Sequence, residues 1–174
     1  MRVVGLLRGV NLGSSRRLKM ADLRAAVESL GHTAVETYLQ SGNVVFTRGG
    51  RGTSDLGAGI RDALRDAVGL DAGVLTRTGA QMAKIVAANP YAREDPTKVV
   101  VTFLAGTGRK PDLDLAAFAP EGLTVHGSEI YLDLPHGQAR SPLLAALAKV
   151  TTDDGLATSR NWRTVLALAE MSSS

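Results

Sequence analysis

The sequence predicts an α+β fold made of two halves that share one element order, βαββαβ. Two nearly all-apolar runs, 3–7 and 99–104, open the halves. Each half also has a pair of extended runs joined by turn residues, and stretches at helical spacing lie between the extended ones. That order is the ferredoxin-like one. No residue identity relates the halves, so the repeat is one of elements. The predicted boundaries are 1–78 for the first half, 79–97 for a linking helix and loop, and 98–174 for the second half with its C-terminal helix.

Arg2 to Leu7 forms the first strand, and the polar loop Arg8-Gly9-Val10-Asn11-Leu12-Gly13 interrupts it. After Ser14, Ser15, Arg16, Arg17 and Lys19, the residues Met20, Leu23, Val27 and Leu30 recur at helical spacing up to a stop at Gly31. Over 33–39, Val35, Thr37 and Leu39 alternate with Glu36, Tyr38 and Gln40. Gln40-Ser41-Gly42-Asn43 then turns the chain into Val44, Val45, Phe46 and Thr47. A glycine-rich connector, 48–53, leads to a helix expected to be capped by Ser54. Its inner face is Leu56, Ile60, Ala63, Leu64, Ala67 and Val68, with Gly57 and Gly59 weakening its first turn and Gly69 closing it. Val74 and Leu75 centre the fourth strand.

The second half begins with a linking helix, 80–88, that carries Met82, Ile85 and Val86 and ends at Asn89-Pro90. A strand (99–104), a short helix (113–118) and a hairpin (123–126 with 129–134, turning at Gly127-Ser128) follow. The next helix takes Ser141 as cap and Pro142 as first residue, facing Leu143, Leu144 and Leu147 inward. A short strand at 155–158 precedes a final helix, 159–171, with Trp162 in the core beside Val165, Leu166 and Ala169. Arg160, Arg163 and Thr164 fall on its other side. Strands 3–7 and 99–104 are apolar throughout rather than alternating, which calls for cover on both sheet faces. The halves are therefore expected to pack against or interleave with each other.

Composition narrows the function classes. The 174 residues are 44% hydrophobic and 21% charged, ordinary for a globular chain with a real core. The absence of cysteine removes disulfides, thiolate metal sites and cysteine nucleophiles. Met1 leads straight into a strand, and no run reaches membrane-span length, so a cytoplasmic protein is expected. The net charge of +3 permits an anionic partner without demanding one, and three Phe, three Tyr and one Trp leave little for base stacking.

His32, His126 and His136 show no paired metal spacing, so no metal is assigned, and His32 is placed towards solvent after its helix stop. No cofactor is expected. Asp62 and Asp66 alternate with Arg61 and Arg65 as solvated ion pairs do. Gly106-Thr107-Gly108-Arg109-Lys110 lacks phosphate-loop spacing and reads as a turn with a basic tip. Arg48-Gly49-Gly50-Arg51-Gly52, a single copy, reads as a linker.

Strands one and two of a βαββαβ unit run in the same direction, so Arg8 and Asn11 are expected beside Gln40, Ser41 and Asn43 at one sheet end. Arg160, Asn161 and Arg163 form a further polar set. Basic residues in a first helical turn oppose the macrodipole and call for a compensating negative group, either a bound anion or a carboxylate such as Asp153 or Asp154.

The segments Arg8-Gly9-Val10-Asn11 before Lys19-Met20, Thr37-Tyr38-Leu39-Gln40-Ser41-Gly42-Asn43-Val44-Val45-Phe46, Asn89-Pro90 and Thr158-Ser159-Arg160-Asn161-Trp162-Arg163-Thr164-Val165 together resemble the bacterial domain of unknown function 1697 family. The resemblance spans nearly the whole chain. It implies two intertwined ferredoxin-like halves and no established activity; Ser14 stands where the family pattern often has a second glycine. Three readings stay open. The first is binding of a phosphate-bearing ligand, nucleotide or nucleic acid, at the Arg8–Gly13 and Gln40–Asn43 loop edge, with Arg160, Asn161 and Arg163 contributing. The second is an enzyme acting on a small anionic metabolite. The third is a structural or protein-interaction role with the polar motifs as an internal network.

Overall fold

The computed structural model describes residues 1–11, 17–50, 55–91, 93, 95–153 and 155–173. The chain is α+β and divides into two compact units: Met1–Ala83 with Leu168–Ser174, and Lys84–Ala167. Each unit carries a four-stranded antiparallel sheet of ferredoxin-like order.

In the first unit β1 (Arg2–Leu7), β2 (Thr33–Tyr38), β3 (Asn43–Thr47) and β4 (Val74–Thr78) lie in the order β2-β3-β1-β4. Helices α1 (Met20–Ser29) and α2 (Leu56–Val68) lie against each other and, with the sheet, enclose a core. Val3, Leu7, Val44 and Phe46 of the strands meet Leu23 and Val27 of α1 and Ile60 and Leu64 of α2, all but fully buried. Burying each such side chain contributes about 1.5–3 kcal/mol. Every residue of β1 after Arg2 is buried, as its unbroken apolar run requires.

The apolar stripe read for α2 extends one turn too far. Ile60 and Leu64 are buried, whereas Ala67 is exposed and Val68 is 45% exposed. The cap of α2 is Asp55, whose carboxylate accepts the Ala58 N–H at 3.0 Å; Ser54 lies outside the described residues. Gly57 is required by packing: a Cβ there would run into the Val74 carbonyl oxygen, so the glycine lets α2 approach β4. His32 is buried rather than solvent-facing. Its ring stacks on Phe46 at 4.6 Å and its Nδ1 lies 3.0 Å from the Gly49 carbonyl oxygen. Arg61, Asp62, Arg65 and Asp66 form the expected exposed ion pairs.

Helix α3 (Gly79–Ala87) starts in the first unit and ends in the second, burying Met82 and Ile85. The second sheet has the order β6-β7-β5-β8, from β5 (Val99–Leu104), β6 (Gly122–His126), β7 (Glu129–Asp133) and β8 (Ala157–Asn161). Where the first unit has α1, this one has a four-residue 3-10 turn, Leu115–Phe118, capped by Asp114. Helix α4 (Pro142–Asp153) buries Leu143 and Leu147 against Val100, Ile130 and Leu132.

The first turn of α4 is capped twice. Ser141 Oγ accepts the Leu144 N–H at 2.9 Å. The buried Glu121 carboxylate accepts both the Ser141 hydroxyl at 2.9 Å and the Leu143 N–H at 3.0 Å. A carboxylate at a helix N-terminus also complements the macrodipole. Glu121→Ala strands two buried donors and is expected to cost about 2 kcal/mol in urea unfolding. An unchanged midpoint would mean that the cap carries no stability.

The last helix, α5 (Trp162–Met171), begins after β8, so residues 159–161 belong to a strand and not to the helix read from the sequence. Its buried face is Thr164, Val165 and Leu168. Trp162 is half-buried at the helix start, and Leu166 is 41% exposed. The final residues belong to the first unit, where Arg2 donates to the Met171 carbonyl at 3.1 and 3.3 Å.

Candidate functional site

At the end of β1 the strand ladder runs one residue further on each side. Leu7 N–H donates to the Gly42 carbonyl and Arg8 N–H to the Gly73 carbonyl, both at 2.9 Å. The chain then turns through Gly9 (φ 63°), buries Val10, and reaches Asn11 in the left-handed region (φ 56°), which asparagine tolerates better than most residues. The Asn11 amide clips the loop shut. Its Nδ2 donates to the carbonyls of Gln40 (2.6 Å) and Leu18 (3.0 Å), and its Oδ1 accepts the Leu18 N–H at 2.8 Å. One side chain thus ties β1, the lead-in to α1 and the β2–β3 turn together. Leu12, Gly13, Ser14, Ser15 and Arg16 lie outside the described residues.

The β2–β3 turn reverses through two left-handed residues, Leu39 (φ 57°) and Gly42 (φ 72°). Leu39 is consequently 56% exposed instead of continuing the inward alternation. Asn43 is fully buried, and its Nδ2 donates to the Tyr38 carbonyl (3.0 Å) and to Ser41 Oγ (2.9 Å). Asn11, Gln40, Ser41 and Asn43 therefore do come together with Arg8 at one sheet end, but in different capacities. Asn11 and Asn43 spend their amides inside the protein. Gln40 is exposed, Ser41 is half-buried against Asn43, and Arg8 is half-buried, its guanidinium making no hydrogen bond or ion pair among the described residues.

The electrostatic setting is one-sided. Residues 1–21 hold Arg2, Arg8, Arg16, Arg17 and Lys19 and no Asp or Glu. Arg17 and Lys19 are exposed, and α1 starts with no side-chain cap. Among the described residues no carboxylate hydrogen-bonds to residues 8–11.

Arg160, Asn161 and Arg163 lie in the second unit. Arg160 sits on β8 opposite Val101, 9% exposed, with its guanidinium donating to Thr158 Oγ1 and the Ser159 carbonyl at 2.8 Å. Burial pushes it down to about 10, still cationic at neutral pH. Asn161 is the cap of α5, its Oδ1 accepting the Thr164 N–H at 2.9 Å. Thr164 is buried rather than facing out with Arg163. Arg163 is exposed in the first turn of α5, and its charge is among those that act on the Asp95 carboxyl. Two hydrogen bonds from Thr97 hold that carboxyl below its ordinary range, with smaller contributions from Lys98 and Arg163. Asp154, one of the carboxylates anticipated here, lies outside the described residues.

The loop after β5, set aside in the sequence as a basic turn, borders a cavity of about 320 Å3 lined by Leu104 to Thr107, Arg109, Pro111, Ile130, Val150, Gly155 and Leu156. Its frame repeats the Arg8 loop: Leu104 N–H donates to the Ser128 carbonyl and Ala105 N–H to the Leu156 carbonyl, both at 3.0 Å. Ala105 thus stands where the first unit has Arg8. Element order alone could have flagged this position as the counterpart of the Arg8 loop.

The fold and this loop define a class: an α+β protein of two ferredoxin-like units in which an asparagine closes the loop that follows the first strand. Within that class the chain belongs to the family described as "Protein of unknown function (DUF1697)", whose profile matches residues 1–131. The chain is similar in fold to the conserved bacterial protein SP0830 from Streptococcus pneumoniae, with 21% identity and a TM-score of 0.65 over 98% of this chain and 97% of that one. No curated protein matches the sequence. Among the described residues no helix is long and apolar enough to cross a membrane.

Proposed function

We propose that this protein is a cytoplasmic binder of a phosphate-bearing small ligand of the nucleotide class, held at the loop edge of the first unit by Arg8. The observation that carries the reading is an Arg8 guanidinium without an internal partner among the described residues, beside an Asn11 amide that is bonded to Leu18 and Gln40. An arginine held at its base and open at its tip is preorganised for bidentate phosphate contact. Exposed Arg17 and Lys19 and the acid-free stretch through residue 21 support an anionic ligand. The uncapped start of α1 supports it as well. Gln40 offers an exposed amide, and Ser41 lines the turn. With no carboxylate bonded to residues 8–11 among the described residues, binding is favoured over acid-base catalysis.

The internal-network reading holds for Asn11, Asn43 and Asn161, whose amides are used locally. It does not extend to Arg8. Titration with ATP, AMP and inorganic phosphate tests the proposal. Arg8→Ala is expected to weaken the binding found by about 10- to 100-fold, the worth of a charged hydrogen bond, with an unchanged melting temperature. Binding to RNA that falls steeply with salt, without saturable nucleotide binding, would transfer the site to nucleic acid. A flat thermal-shift response to nucleotides together with no mobility shift on RNA or DNA would overturn the reading.

A further inference from the structure

We propose that the cavity at the end of β5 is a second binding site, in the second unit alone, for a small aliphatic carboxylate. Its origin is the shortening of one element. In the first unit the ten-residue α1 packs behind the loop after β1; in the second a four-residue 3-10 turn takes that place. The equivalent of Arg8 is Ala105, so no long side chain fills the space. The remaining volume of about 320 Å3 falls at the low end of ligand pockets, which run about 300–1,000 Å3.

The lining divides by chemistry. Leu104, Ile130 and Val150 also pack on the core of this unit, and Leu156 and Pro111 complete an apolar wall drawn from separate parts of the chain. The other wall is the segment 105–109. Gly106 and Thr107 donate their backbone N–H groups to no described protein acceptor, and Thr107 adds a hydroxyl. Among the described residues Arg109 is the one charged member of the lining, which includes no Asp or Glu. An apolar wall facing a wall rich in donors fits a ligand with a short hydrocarbon chain and a carboxylate head. A phosphate alone would leave the apolar wall unmatched, and an amine would meet a cation.

Hexanoate is the probe, titrated into the isotopically labelled full chain and followed by amide resonances, with hexanol as the uncharged control. Hexanoate is expected to shift the Gly106 and Thr107 amides saturably, with hexanol at least about tenfold weaker, the cost of losing a charged hydrogen bond. Val150→Phe, which fills the cavity from α4, is expected to abolish the shifts; Thr107→Val, on the exposed loop, is expected to weaken them while leaving the fold intact. Hexanoate is expected to shift the Gly106 and Thr107 amides of Arg8→Ala as it does those of the parent, which separates this site from the first, and loss of those shifts in the variant overturns the proposal. Equal response to hexanol, or no saturable shift up to about 10 mM hexanoate, overturns the proposal. Retention of the full shifts by a folded Val150→Phe protein also overturns it.

Discussion

Gly42→Ala is expected to destabilise the first unit by about 2–5 kcal/mol, the largest loss from any single methyl added near the Arg8 loop. Two costs combine. The backbone at Gly42 has φ 72°, which costs an L-residue about 1–2 kcal/mol. The new Cβ would also stand 2.8 Å from Leu7 Cβ and closer still to Val10 Cγ2, and overpacking of that kind costs about 1–3 kcal/mol. Both neighbours are buried core residues on the loop frame, so neither can swing away freely. Gly9→Ala is the control: φ is 63° there, but a Cβ would meet nothing within 4 Å among the described residues. It should therefore incur the backbone cost alone. Hydrogen exchange of the β1 and β3 amides reads the first unit directly. If the two variants lose protection equally, the close approach of Val10 to the turn contributes nothing.

The same contrast between backbone and packing explains what could be read from the sequence. Apolar runs and turn residues located all seven of the strands β1 to β7 and the helices α1 to α4, because those elements obey local periodicity. Residues 159–161 do not. Ser159, Arg160 and Asn161 lack strand propensity, and what makes them a strand is the ladder with Val100, Val101 and Thr102, a long-range pairing invisible in a local window. Leu39 failed for a related reason: alternation places it inward, but the turn needs a left-handed residue there. At the site, the sequence identified the right loop residues without separating their roles. Arg8 and Asn11 look equally functional in a motif, and only the hydrogen bonds distinguish an amide spent internally from a guanidinium that is not. The cavity was hidden because its lining comes from stretches far apart in the chain, 104–111, Ile130, Val150 and 155–156, that only the fold brings together.

That division of roles predicts opposite behaviour for two neighbours. Asn11→Ala removes three hydrogen bonds, each worth about 0.5–1.5 kcal/mol net, and places alanine at φ 56°, so a loss of about 3–6 kcal/mol is expected. Asn11→Asp keeps the acceptor for Leu18 N–H and the tolerance of a left-handed backbone, but loses both donors; it should fall between alanine and the parent. Arg8→Ala, by contrast, should leave urea unfolding unchanged while weakening phosphate binding. Because Asn11 joins β1 to the lead-in of α1 and to the turn at Gln40, its loss should weaken phosphate binding as well, through the loop rather than through contact. The two effects separate by comparison: for Asn11 variants affinity and stability should fall together, and for Arg8 affinity should fall alone. Loss of stability in Arg8→Ala comparable to that in Asn11→Ala would make the arginine part of the internal network and leave the loop edge without a ligand-binding group.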